Sequence, residues 1–127
     1  VGTFPRLCHL LPQGMLRELS YTGRRFFAQE ALEFGLVNKI YDNHEELVAG
    51  VMEIAAEIAS KSPLSVTGSK VMMNYARDHT INDGLDYVAT WQTGMFQPAE
   101  MGEAFAAKAQ KRDANFPDLF PLKKGLV

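Results

Sequence analysis

Apolar residues recur at intervals of three and four in segment after segment of this chain, while only one short run alternates as a strand would. That imbalance limits the fold more than any other feature. A lone strand has no ladder partner, and short helices are marginal until their apolar stripes are covered. Leu11, Met15, Leu16 and Leu19 share one helical face, with Pro12 suited to the first turn, where a missing N–H costs nothing. Tyr21-Thr22-Gly23-Arg24-Arg25 interrupts that helix, and a short one over Ala28 to Phe34 is stopped by Gly35. Leu36 to Tyr41 is the predicted strand, closed by an Asp42-Asn43 turn.

The clearest helix covers Glu45 to Lys61, where Leu47, Val51, Ile54, Ala55 and Ile58 fall on one face and Glu46, Glu53 and Glu57 on others. Ser62-Pro63 is a cap followed by a first-turn proline, and starts a helix to about Arg77. Thr80 and Asp83 form a capping box that opens the next helix, with Ile81, Leu85, Val88 and Met95 as its apolar stripe. Pro98 starts a last helix through about Arg112. From Asn115 the chain is proline-punctuated, a tail that wraps a surface or hangs free. One strand among so many helices suggests that a sheet lies outside this sequence.

Composition narrows the function classes. Of 127 residues, 46% are hydrophobic and 22% charged, ordinary values for a globular chain that can bury a core. No apolar run approaches the roughly 20 residues needed to cross a bilayer. A net charge of -2 gives no global reason to expect nucleic acid as partner. The single cysteine, Cys8, excludes an internal disulfide and fits a reducing compartment. The opening Val1-Gly2-Thr3 shows neither an initiator Met nor a signal pattern, so Val1 is read as an internal position of a longer protein.

Few side chains are spaced for chemistry. Cys8 and His9 are sequence neighbours, and neighbours diverge in a strand or a helix, so a thiol–imidazole pair is not expected. Arg77-Asp78-His79 reads as a helix-to-helix connection held by side-chain hydrogen bonds rather than as a catalytic loop. His9, His44 and His79 lack the spacing of a metal site, and Glu45 and Glu46 suit the first turn of their helix. The last helix offers more. Lys108, Lys111 and Arg112 stand at i, i+3 and i+4 with Phe105 one turn before, an aromatic beside cations that can stack a base and neutralise phosphates. Basic residues are also favoured there simply by the helix dipole.

Three segments together resemble the crotonase, or enoyl-CoA hydratase/isomerase, superfamily. Thr22-Gly23-Arg24 followed by Ala28-Gln29-Glu30-Ala31 and Gly35-Leu36-Val37 is similar to its T-G-R…A-x-E-A-x-x-x-G-L-V segment. Lys61-Ser62-Pro63 with Lys70 resembles its K-S-P helix start, and Glu103 through Lys108 its terminal E-x-x-A-F-x-x-K helix. Val1-Gly2-Thr3 with Arg6-Leu7, and Tyr75 to His79 with Leu85 to Trp91, resemble the dienoyl-CoA isomerase branch. The chain departs from that branch at Cys8, where a proline is common.

The resemblance implies a mostly α segment, the C-terminal helical part of an α/β crotonase fold of ββα spiral turns. Residues 1–42 would end the spiral core, 43–114 form a helical region for trimerisation and CoA contact, and 115–127 form a tail. It implies an acyl-CoA isomerase of fatty-acid beta-oxidation that shifts a 3,5-dienoyl-CoA to a 2,4-dienoyl-CoA. A backbone oxyanion hole and carboxylates would serve as catalysts, with no metal or redox cofactor. An enoyl-CoA hydratase is the alternative, as is a non-catalytic helical module docking on full-length subunits. The family's catalytic acids lie upstream, and Glu18, Glu30, Glu33 and Asp42 match none of them. No catalytic residue is therefore expected here, and the chain alone is expected to be inactive. Phe105 and Lys108 match the family positions that contact the nucleotide end of CoA, and Trp91, Met95 and Phe96 would either border the acyl tunnel or serve in core and trimer packing. A homotrimer or homohexamer is implied, mitochondrial or peroxisomal in a eukaryote and cytoplasmic in a bacterium.

Overall fold

The computed structural model describes residues 2–121, and its regular structure is entirely helical over them. The helices are α1 (Phe4–Leu7), α2 (Gln13–Thr22), α3 (Ala28–Glu33), α4 (His44–Ala59), α5 (Pro63–Ala76), α6 (Ile81–Met95) and α7 (Pro98–Gln110). They fall into two compact units, Val1–Val51 and Met52–Val127, with α4 running across the boundary. No described helix is long and apolar enough to cross a membrane.

In the first unit, the expected α2 stripe faces inward: Leu11 and Leu16 are buried, Met15 and Leu19 half-buried. Pro12 sits one position earlier than expected, at the N-cap, where its carbonyl accepts from the Leu16 N–H. Gly23 ends α2 in the left-handed conformation, φ 64°, and its N–H returns to the Leu19 carbonyl. The turn sends Arg24 between two acids. Its Nε meets Glu18 at 2.9 Å, and its Nη2 and Nη1 meet Glu30 at 2.9 and 3.1 Å, joining α2 to α3. These bonds, first the one with Glu30, raise the Arg24 pKa, and the guanidinium lowers that of Glu30.

The strand expected over Leu36–Tyr41 does not form. Gly35 takes φ 74°, and the Leu36 and Val37 amides both donate to the Ala31 carbonyl, at 2.8 and 3.2 Å. Those donors close the end of α3, so they are not available to a ladder, and the described residues hold no second strand to receive them. Asn43 then starts α4: its Oδ1 accepts from the Glu46 N–H at 2.8 Å and its Nδ2 donates back to Glu46. The α4 stripe exists in register but is not covered, with Leu47, Val51, Ile54 and Ile58 all exposed.

In the second unit, α5 packs against α6. Ser62 caps α5 by accepting from the Ser65 N–H at 3.0 Å. Thr80 and Asp83 form the expected box, each side chain meeting the other's backbone N–H. The face of α6 differs from expectation. Gly84, Tyr87 and Trp91 are half-buried, whereas Ile81 and Leu85 are 84% and 63% exposed and Val88 and Met95 also face out. The reason lies on α5, where Gly68 leaves room for the Trp91 ring and Tyr75 stacks on Tyr87 at 4.2 Å. After α7 the chain reverses at Lys111, φ 53°, and residues 112–121 return along the helix; 122–127 lie outside the described residues.

Candidate functional site

The inward side of α7 is carboxylate-rich. Glu100, Glu103 and Ala107, at intervals of three and four, are the covered positions, while Met101, Phe105 and Lys108 lie outside. Each glutamate has a fixed partner. Glu100 accepts from the Ser62 hydroxyl, tying α7 to the α5 cap, and Ser62 is only 7% exposed. Glu103 receives Arg112 on both oxygens, Nη2 to Oε2 at 2.9 Å, and the Asn115 N–H at 2.8 Å. The Arg112 fork, then the Asn115 amide, lower the Glu103 carboxyl to about 2.

With its inner face so occupied, α7 presents Phe105, 67% exposed, one turn before Lys108. The expected three-cation face is not formed. Helix α7 ends at Gln110, Lys111 takes the left-handed cap conformation, and Arg112 turns back to Glu103. The i, i+3, i+4 spacing of Lys108, Lys111 and Arg112 aligns charges only on a helix that continues, and this one stops first. Lys108 remains beside Phe105, and the pair can offer a flat apolar surface with a cation next to it.

A groove of about 480 Å³ lies between the start of α5, the end of α6 and α7. Trp91, Met95, Phe96, Met101 and Phe116 form its apolar walls, with Ser62 and Glu100 among its polar lining. The family resemblance had grouped the first three of these residues; Phe116 was not singled out, since only the return of the chain after Lys111 brings it to the groove.

The other candidates have local explanations. Cys8 is exposed and no hydrogen bond joins it to His9. His79 donates from Nδ1 to the Tyr75 carbonyl at 2.8 Å and to Asp78 at 2.7 Å, and stacks on the Tyr75 ring. The Tyr75 carbonyl, then Asp78, raise its pKa, and the same two bonds hold the α5–α6 turn as expected. Among the described residues no group of three or more His, Cys, Asp or Glu is placed to hold a metal.

These helices are the helical part of a crotonase fold, and the chain belongs to the enoyl-CoA hydratase/isomerase family, whose pattern it matches over residues 1–119. It is 40% identical over 119 residues to the peroxisomal delta(3,5)-delta(2,4)-dienoyl-CoA isomerase of Arabidopsis thaliana, covering 94% of this chain and 43% of that protein. It is 38% identical over 114 residues to the mitochondrial enzyme of the same name from Mus musculus, covering 89% and 35%. A solved enoyl-CoA hydratase from Mycobacterium tuberculosis H37Rv superposes with a TM-score of 0.81 at 25% identity, covering 91% of this chain and 46% of that one. The chain thus spans less than half the length of these relatives.

Proposed function

We propose that this chain supplies the CoA-contacting helix of an acyl-CoA isomerase that shifts a 3,5-dienoyl-CoA to a 2,4-dienoyl-CoA. The observation that carries the reading is Phe105 exposed beside Lys108 on α7, turned out by the glutamate face opposite. The ring would stack on the adenine and the ammonium would meet a phosphate. The resemblance to dienoyl-CoA isomerases at 38% and 40% identity favours this activity over hydration. Catalytic carboxylates are assigned outside this sequence, so the chain by itself binds without turnover. The active enzyme is a trimer or hexamer, and in a eukaryotic cell its compartment is the mitochondrion or the peroxisome, as with those relatives.

Calorimetric titration with CoA tests the binding half. Phe105→Ala should weaken it about tenfold, base–aromatic stacking being worth about 1–3 kcal/mol. Lys108→Ala should weaken it several-fold, and less so at high salt. Unchanged affinity in both variants would remove α7 as the contact. The reaction is tested on the whole enzyme: conversion of 3,5-dienoyl-CoA supports isomerisation, and hydration of a 2-enoyl-CoA alone would replace it with the hydratase reading. A second reading, a non-catalytic module that docks on full-length subunits, is favoured by the uncovered face of α4, Leu47 to Ile58. It predicts association that survives loss of Phe105 and Lys108.

A further inference from the structure

Glu103 holds two separate points of the chain that follows α7. Its carboxylate takes the Arg112 guanidinium and the Asn115 N–H, while the reversal at Lys111 is fixed by the Arg112 N–H donating to the Ala107 carbonyl at 3.1 Å. Ala107, 3% exposed, is the most covered side chain of this unit. One residue past Asn115, Phe116 is half-buried and forms part of the apolar groove wall with Trp91, Met95, Phe96 and Met101. Among the described residues, Phe116 is the one residue of the returning chain in the lining of this groove. The polar latch and the apolar contact are on different residues, so each can be removed alone.

We propose that residues 111–116 are a strap at the edge of this groove, latched by Glu103 through Arg112 and the Asn115 amide, with Phe116 as its cover, and that releasing the latch opens the groove. A chain end held by apolar contact alone would fray, since few side chains of the segment are buried. A latch without Phe116 would hold the backbone yet leave the groove uncovered. The low pKa of Glu103 agrees with a latch that stays made across the neutral range. This goes beyond the CoA reading and does not depend on it, because neither Phe105 nor Lys108 lines the groove.

The sequence contains one tryptophan, Trp91, and it lines the groove, so its fluorescence reports the cover directly. Acrylamide quenching of Trp91 and exchange of the Asn115 amide would be measured in the full chain, with far-UV dichroism confirming the helices. Arg112→Gln is preferred to a change at Glu103 because Arg112 lies beyond the last turn of α7. It should raise the quenching constant and speed Asn115 exchange. Phe116→Ala should raise quenching while leaving Asn115 protected. Quenching unchanged in Phe116→Ala means that Phe116 does not cover the groove, which overturns the proposal. Quenching raised by Phe116→Ala but unmoved by Arg112→Gln overturns the latch, whatever holds the strap instead.

Discussion

The two units use the same two devices to different ends. Each seats an aromatic ring over a helical glycine: Tyr41 over Gly50 in the first unit, and Trp91 over Gly68 in the second. Each also closes an arginine on glutamate. Arg24 bridges Glu18 and Glu30 and so joins two helices, whereas Arg112 and Glu103 fold an irregular segment back along one helix. The seats differ in how far the ring can yield. Tyr41 carries Lys39 over its face at 4.7 Å and is reached from a loop, while Trp91 is fixed by its own helix and lines the groove. The same contact can therefore be a minor ornament of a loop or the register of a helix pair.

The sharpest way to break the comparison is to fill both seats. Gly68→Val places branched carbons where the Trp91 ring lies, and should cost about 1–3 kcal/mol, seen as a lower denaturant midpoint and a shifted Trp91 emission. Next comes Ser62→Ala, which removes the α5 cap and the hydroxyl that Glu100 accepts; a loss of about 1–2 kcal/mol is expected by the same measurement. If this loss were no larger than that of Thr80→Ala, at the exposed cap of α6, burial would add nothing to the Ser62 bond. Gly50→Ala should be nearly neutral, because Tyr41 can swing outward and alanine adds about 1 kcal/mol of helix propensity. A loss as large as that of Gly68→Val would show that the two seats are equivalent after all.

Acid should separate the two arginine clasps. A carboxylate whose folded pKa is lowered contributes stability that is complete above its ordinary value and lost as pH falls through the folded one. For Glu103 that window runs from 4.5 down to about 2, so the Asn115 amide should stay protected until strongly acid pH. Carboxyl chemical shifts of Glu103 and Glu30 would show whether the two clasps open together. The smallest effect is expected at His79, whose pKa is raised. Its contribution is complete below 6.5 and lost as pH rises through the folded value, and Asp78→Asn should lower the midpoint of its ring-proton titration.

Much of the helical frame was legible because local chemistry wrote it. Ser62-Pro63, Thr80 with Asp83, and Gly35 each act on neighbouring amides and carbonyls, and all three stand where spacing put them. The covered face of α2 was legible too, since its apolar residues meet on one side at every turn. The face of α6 was not. Hydropathy favours Ile81 and Leu85, but Gly68 on another helix offers a seat that only Trp91 fills. Arg112 was misplaced for a related reason: a cation at the right spacing is on the helix face only if the helix has not yet ended.

The candidate site divides the same way. Phe105 and Lys108 share a face because three residues of helix put them there, and sequence alone fixes that. Which way the face points is decided by tertiary structure, through Ser62 holding Glu100 and Arg112 holding Glu103 on the opposite side. Phe116 joins Trp91 for the same kind of reason. Caps and periodicity act over a few residues and survive in any context, whereas burial of a face and closure of a groove depend on atoms brought together from distant positions.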